Sequence, residues 1–183
     1  YGVRAGDAVS LCVLAMPEAV YLLYAINKIG AIANMLVMNA TEAEIHEKLA
    51  VTESKIVITV DLALEKIVQA SRETSVKHII GVSLAESMPC VIGTLYKWKS
   101  KIKQENCILF SEFLKAGQGK KIDCQEIKAD APAIIAYTGG TTGKAKGVLL
   151  SNRAANTIAF QYKYADKVLD FQNGERFLDT IPP

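Results

Sequence analysis

Apolar runs alternate with helical spacings along the first half of the chain. The runs that predict β-strands lie at 8–15, 31–38, 55–60 and 78–82. Between them, apolar residues recur at the spacing of a half-buried helix, and helices are predicted at 18–28, 41–52 and 62–70. Because strand and helix alternate repeatedly, we expect right-handed crossovers into a mainly parallel sheet. The predicted fold class is therefore α/β, a layered sheet flanked by helices.

Residues with known end preferences mark the limits of two of these helices. Pro17 and Glu18 stand where the first helix begins, and Gly30 is placed to end it. Thr41 followed by Glu44 has the form of a capping box, which predicts a helix start at that point. The residues expected near one face of the first helix are Val20, Leu23, Tyr24 and Asn27.

The second half of the chain has a weaker pattern until residue 132. Between 87 and 119, apolar residues fall at helical spacing and lysines alternate with other residues. This pattern favours a solvated helix face over contact with a membrane surface. The apolar residues are Val91, Leu95, Trp98 and Ile102, and the lysines are Lys97, Lys99, Lys101 and Lys103. The apolar run 132–138 predicts a further strand. Additional strands are predicted at 147–150 and 176–181, with Ser151 capping a helix that runs towards Val168.

Composition narrows the classes of function. Half of the 183 residues are hydrophobic, which is typical of a globular protein. The formal net charge is +2, so the composition shows no excess of basic residues of the kind that nucleic-acid-binding proteins carry. The four cysteines include no C-x-x-C pair, so we predict neither a zinc site nor a disulfide framework, and a cytoplasmic location. Neither end resembles a natural terminus, so the chain is predicted to be a piece of a longer protein.

The segment YTGGTTGKAKG, residues 137–147, concentrates the residue types that bind polyphosphates. Glycines allow backbone amides to turn towards a ligand and leave room for its approach. Threonine hydroxyls add hydrogen-bond donors, and lysines add positive charge on long stems. The candidate phosphate contacts are Thr138, Gly139, Gly140, Thr141, Thr142, Gly143, Lys144 and Lys146.

Two other glycine-rich motifs fit this segment poorly. A P-loop needs one more residue between Gly139 and Gly143, and Ala145 stands where its metal-binding Ser or Thr should be. A dinucleotide fingerprint requires a different glycine spacing. A flexible surface hairpin with no ligand is the remaining alternative, and it does not account for the convergence of amides, hydroxyls and lysines.

The motif IAYTGGTTGKAKGV, residues 135–148, resembles the signature loop of the AMP-forming adenylating enzymes, which reads approximately YTSGTTGKPKGV. That superfamily includes acyl-CoA synthetases, peptide-synthetase adenylation domains and firefly luciferase. Gly139 and Ala145 replace the usual Ser and Pro, and Asn152 replaces a usual His. The early segments GVRAGD (2–7) and NKIGA (27–31) are similar to family motifs as well, so the resemblance covers nearly the whole chain.

The resemblance implies a two-step ligase acting on a carboxylic acid, ATP and CoA, with Mg²⁺ beside the phosphates. Residues 1–183 would then be a fragment of the N-terminal adenylation domain, truncated at both ends, with the phosphate-binding loop at 137–148. The remaining nucleotide motifs, the metal ligand and the C-terminal domain would lie downstream. The fragment would therefore hold no catalytic residue and would be inactive alone.

Two alternatives to an acyl-CoA synthetase stay open. One is an adenylation domain that loads an amino or aryl acid onto a carrier protein, and the other is a noncatalytic nucleotide-binding module. The layout favours the CoA ligase by analogy only. His46 is predicted to be solvated on a helix face and His78 to be structural, and no residue pattern indicates an oligomeric state.

Overall fold

The computed structural model describes residues 1–88, 93, 96, 107–121, 126–139 and 145–169, and within them it contains one seven-stranded sheet. The strands are β1 (Ala8–Cys12), β2 (Ile32–Met35), β3 (Ile56–Val60), β4 (His78–Val82), β5 (Ile108–Leu109), β6 (Pro132–Tyr137) and β7 (Gly147–Ser151). Their order across the sheet is β5-β4-β3-β1-β2-β6-β7. All neighbours are parallel except β6 and β7, which form an antiparallel pair. The predicted α/β class is confirmed.

Helices connect the strands. They are α1 (Pro17–Lys28), α2 (Glu42–Thr52), α3 (Leu64–Ala70), α4 (Phe110–Gly117) and α5 (Asn152–Leu169), with short 3₁₀ turns at Asp61–Ala63 and Leu84–Ser87. The chain steps from β1 to β2 in one direction and then crosses to β3 on the other side of β1. Right-handed connections in opposite directions place α1 on one face of the sheet and α2 and α3 on the other.

The predicted helix ends are formed by the expected residues. Thr41 Oγ1 accepts a hydrogen bond from Glu44 N at 3.3 Å, and Thr41 N donates to Glu44 Oε2 at 2.7 Å, which is a complete capping box. Gly30 follows α1 with a φ of +73° and lies against Ala5, where a Cβ would approach the Ala5 Cβ to 3.0 Å. Ser151 Oγ accepts from Ala154 N at the start of α5, as predicted.

The buried face of α1 differs from the one expected. The helix buries Ala19, Leu22 and Ile26, while Val20 is 52% and Tyr24 is 72% exposed. The sequence of α1 is apolar around most of its circumference, so its periodicity alone did not select a face. The position of the helix on the sheet decides which side chains are buried.

The core lies on both faces of the central strands. Leu11, Val57 and Ile80 are fully buried in β1, β3 and β4, and α2 contributes Ile45 and Leu49. Strands covered on both faces read as continuous apolar runs, which is why the sequence predicted them well.

Between β4 and β6 the sequence pattern was least informative. Neither the two-residue strand β5 nor α4 was predicted. Val91, Leu95, Trp98 and Ile102, the lysines between them and the predicted strand at 176–181 lie outside the described residues. Of the helices in the described part of the chain, none is both long enough and apolar enough to cross a bilayer.

Candidate functional site

The glycine-rich loop begins at the carboxyl end of β6, where ligands of open α/β sheets usually bind. Its two ends are joined by a pair of hydrogen bonds that we call the neck. Thr138 N donates to Lys146 O at 3.0 Å, and Lys146 N donates to Thr138 Oγ1 at 3.2 Å. The neck continues the ladder of β6 and β7, whose last pair is Tyr137 with Gly147. The segment 139–145 is therefore closed at its base.

Three of the eight predicted phosphate contacts fall within the described residues. Thr138, Gly139 and Lys146 are exposed, and the structure brings Thr138 and Lys146 together at the neck. A Cβ placed on Gly139 would meet no atom within 4 Å, so the space beside this residue is open. The other predicted contacts lie outside the described residues; they are Gly140, Thr141, Thr142, Gly143 and Lys144.

The side chain of Tyr137 touches both strands that support the loop. It projects from β6, and its ring lies against Gly147 of β7. A Cβ on Gly147 would come within 3.3 Å of both Tyr137 Cε1 and Ile135 Cγ2, which is closer than ordinary van der Waals contact. Gly147 therefore allows the ring to pack against the returning strand.

The Tyr137 hydroxyl enters a polar cluster whose other members are buried or half-buried between the sheet and the end of α2. It donates a hydrogen bond of 2.8 Å to Asn34 Oδ1 on β2. Asn34 Nδ2 donates in turn to Ser10 Oγ at 2.7 Å and to Thr52 Oγ1 at 3.3 Å. Ser10 and Asn34 are register partners on β1 and β2, and both are fully buried.

Ser54 and Thr52 complete this cluster as a hydrogen-bonded ring. Ser54 Oγ lies 2.8 Å from both Ser10 Oγ and Thr52 Oγ1, and Thr52 Oγ1 donates to Lys48 O at 2.8 Å. Because Thr52 uses its proton on that carbonyl, Ser54 must donate to Thr52. Ser10 must then donate to Ser54, because the single proton of Ser54 is already used on Thr52. Every hydroxyl in the ring thus has a defined donor direction.

Lys48 of α2 approaches the same tyrosine from the helix side. Its Nζ lies 4.3 Å from the centroid of the Tyr137 ring, a cation–π contact. Burial raises the pKa of the Tyr137 hydroxyl above its ordinary value, so the group, which is already protonated at neutral pH, remains a donor to Asn34 further into the alkaline range. The Tyr137 side chain is therefore held by the hydrogen bond of its hydroxyl to Asn34 and by the Lys48 ammonium over the face of its aromatic ring.

A groove of about 490 Å³ opens between α2 and the β6–β7 hairpin, beside the neck. Its helix side carries Glu44, Glu47 and Lys48, and its hairpin side carries Ile135, Tyr137, Gly147 and Leu149. The groove thus places charged side chains within reach of the loop's base.

The two histidines have structural contacts. His46 was predicted to be solvated, and this was wrong: it is half-buried, with Nδ1 3.0 Å from the carbonyl oxygen of Ala70, so it links α2 to α3. His78 packs edge-to-face on Tyr1, with ring centroids 5.0 Å apart. Among the described residues no group of three His, Cys, Asp or Glu side chains could hold a metal ion, and Cys12 and Cys107 are free thiols.

Sequence reasoning missed the Tyr137–Asn34 contact and the ring behind it. A signal was present, because Ser10 and Asn34 interrupt apolar runs that were predicted to be buried strands. A buried polar side chain needs a hydrogen-bond partner. The partners come from four separate parts of the chain, so the residue pattern could not identify them.

Comparison with known proteins places this chain in one family. The model of the AMP-binding enzyme family matches residues 1–183. Curated relatives include an acetyl-coenzyme A synthetase of Shewanella denitrificans, 27% identical over 98% of this chain and 27% of its own length. A 4-coumarate–CoA ligase of Humulus lupulus is 28% identical over 99% of this chain and 30% of its own length. A long-chain-fatty-acid–CoA ligase of Bacillus subtilis is 27% identical over 99% of this chain and 34% of its own length.

Solved structures agree on the fold. An acetoacetyl-CoA synthetase from Streptomyces lividans superposes with a TM-score of 0.71 at 18% identity, covering 99% of this chain and 27% of that one. The chain thus spans about a quarter to a third of the length of the relatives it matches. Since the family model covers every residue, the chain belongs to the AMP-binding enzyme family.

Proposed function

We propose that the parent of this chain is an ATP-dependent acyl-CoA synthetase, and that residues 137–148 bind the β- and γ-phosphates of ATP. The observation that carries the proposal is the closed neck, which presents a glycine, threonine and lysine loop at the carboxyl end of β6. The names of the relatives, which are CoA ligases acting on different acids, support the reaction class.

The proposed chemistry has two steps. A carboxylate oxygen of the acid attacks the α-phosphorus of ATP, and the bond to the β-phosphate oxygen breaks, so that pyrophosphate leaves with the electron pair. The sulfur of CoA then attacks the acyl carbon, AMP departs, and the thiol proton passes to solvent. The loop acts in the first step, where its amides, hydroxyls and lysines would offset charge on the departing pyrophosphate.

The described residues fit a polyphosphate better than they fit a metal. Thr138 and Lys146 supply a hydroxyl and an ammonium at an exposed position, and the space beside Gly139 is open to a ligand. The Mg²⁺ implied by the resemblance finds no cluster of carboxylates in the described parts of the chain, so we assign it no ligand there. Bound Mg²⁺ would neutralise phosphate charge alongside the lysines.

Acid-dependent exchange of labelled pyrophosphate into ATP, catalysed by the full-length parent, tests this proposal. Fatty, aromatic and amino acids should be assayed separately, with CoA and a carrier protein as acceptors. Exchange followed by thioester formation on CoA is the expected result. Transfer only to a carrier protein would favour the carrier-loading alternative, and ATP binding without exchange would favour a noncatalytic module. We expect the isolated fragment to form no acyl-adenylate.

The contribution of the loop can be measured with Lys146→Ala in the same parent. We expect kcat/KM for ATP to fall about tenfold to a hundredfold, which is the range for losing one hydrogen bond to a charged group. Lys115→Ala is the matched control, since Lys115 is equally exposed but lies on α4. Equal kinetics for the two variants would contradict the assignment of Lys146 to phosphate binding.

A further inference from the structure

We propose that Tyr137 is a positioning residue, through which the hydrogen-bonded ring of Ser10, Asn34, Thr52 and Ser54 sets where the glycine-rich loop leaves the sheet. The inference rests on the proposed function of that loop. It concerns the support of the loop and adds no contact with ATP.

The first step of the argument is the rigidity of the anchor. Asn34 is a fully buried member of the ring. Its side-chain amide makes hydrogen bonds to Ser10, Thr52 and Tyr137. The amide oxygen and nitrogen cannot exchange places without losing contacts, because a flipped amide would turn its oxygen towards Ser10 Oγ and Thr52 Oγ1, whose single protons are already donated to Ser54 Oγ and Lys48 O. The ring therefore offers the Tyr137 hydroxyl one acceptor at one position.

The second step is the path from the anchor to the loop. Tyr137 is bonded to Thr138, which forms one side of the neck, and its ring packs on Gly147, which follows Lys146 on the other side. One side chain thus contacts both ends of the loop. A displacement of the Tyr137 aromatic ring would therefore displace Thr138 and Lys146, whose hydroxyl and ammonium we assign to phosphate binding.

The third step concerns the face of the Tyr137 aromatic ring that is turned towards α2. Lys48 Nζ lies 4.3 Å from the ring centroid, and Lys48 O accepts the proton of Thr52. Lys48 therefore contacts both parts of the anchor. Its carbonyl oxygen accepts the proton of Thr52, a member of the hydrogen-bonded ring, and its ammonium lies over the aromatic ring of Tyr137. This arrangement ties the last turn of α2 to the base of the loop.

The position of reacting groups matters more to catalysis than to overall stability. Displacement of a catalytic contact by about 1 Å can reduce rate by about a hundredfold, whereas losing a single hydrogen bond has a modest effect on folding. A positioning role and a purely structural role therefore give different results when only the tyrosine hydroxyl is removed.

Tyr137→Phe in the full-length parent makes that change and keeps the ring over Gly147 and under Lys48. We expect kcat for pyrophosphate exchange to fall about tenfold, with KM for the acid unchanged. Tyr96→Phe is the matched control: its hydroxyl donates to Asp61 Oδ1 at 3.1 Å, so it loses a similar bond remote from the neck. A variant that only weakens the fold should resemble this control.

A second measurement is independent of turnover. Trypsin cleaves after lysine, so cleavage at Lys146, on one side of the neck, reports how firmly the base of the loop is held. Tyr137→Phe should accelerate this cleavage about fivefold relative to wild type, the change in local opening expected for one lost hydrogen bond, while Tyr96→Phe should not.

The two measurements separate failure of this inference from failure of the proposed function. If the wild-type parent exchanges no pyrophosphate but cleavage accelerates in Tyr137→Phe, the proposed function is overturned and the anchoring of the loop stands. If Tyr137→Phe matches Tyr96→Phe in kcat in an active parent, Tyr137 has no positioning role. Unchanged cleavage in an inactive parent would likewise overturn the inference.

Discussion

Replacing Asn34 with aspartate would test the polar ring most directly, because the substitution keeps the shape of the side chain but replaces the donating amide nitrogen by a carboxylate oxygen that carries no hydrogen and shares a negative charge. In the native ring, six contacts shorter than 3.5 Å join Tyr137, Asn34, Ser10, Ser54, Thr52 and the carbonyl of Lys48. The hydroxyls supply one hydrogen each and the amide supplies two, so every contact has its proton. An ionised Asp at position 34 removes both amide hydrogens.

The magnitude follows from the contacts left without a proton. Turning the hydroxyls cannot restore them, because the remaining four hydrogens must serve the same six contacts. Each buried polar group left without its partner costs about 1–3 kcal/mol, so two such contacts should lower the free energy of unfolding by about 2–6 kcal/mol at neutral pH. Loss on this scale is large compared with the usual effect of one substitution.

The loss should depend on pH. Burial without a cation partner raises the folded-state pKa of a carboxyl above its unfolded value of about 3.9. Stability of the variant is therefore greatest below the unfolded pKa and declines as pH rises through the folded pKa. Protonation also returns one of the two missing hydrogens, so the deficit relative to wild type should shrink in acid.

Urea unfolding of the full-length parent at pH 5 and pH 8 measures both effects. Asn39→Asp is the control, because it makes the same chemical change at an exposed residue after β2. We expect Asn34→Asp to be strongly destabilised and Asn39→Asp to remain within about 0.5 kcal/mol of wild type. Equal stability of the two variants at pH 8 would refute the hydrogen assignment in the ring.

Two further predictions concern the supports of α2 and β1. Thr41→Ala removes the capping box with Glu44 and should cost about 1 kcal/mol in urea unfolding, whereas Thr41→Ser should cost much less; equal losses would argue against the cap. The Arg4 backbone N–H and the Lys55 ammonium lower the pKa of Asp7, so its stabilising effect is present above pH 3.8 and is lost as pH falls through the folded-state value. Asp7→Asn should therefore cost about 1 kcal/mol at pH 7 and progressively less as pH falls below 3.8, and a pH-independent difference would contradict this cause.

The residue pattern was sufficient for the fold class and most element positions, while the phosphate-binding role of the loop stays a prediction. Continuous apolar runs indicated strands covered on both faces, and Thr41 with Glu44 indicated the start of α2, because these signals depend on neighbours along the chain. The glycine, threonine and lysine content of residues 137–148 likewise indicated phosphate chemistry without reference to distant residues. These are local properties, and the sequence records them directly.

Tertiary structure decided which faces are buried and what holds the loop. Helix α1 is apolar on more than one side, so only its packing on the sheet selected Leu22 and Ile26 over Val20 and Tyr24. The contact between Tyr137 and Asn34 joins residues 103 positions apart, and it exists because β6 lies beside β2 in the sheet. Strand order determines such contacts, and a local sequence pattern carries no information about which distant strand will become a neighbour.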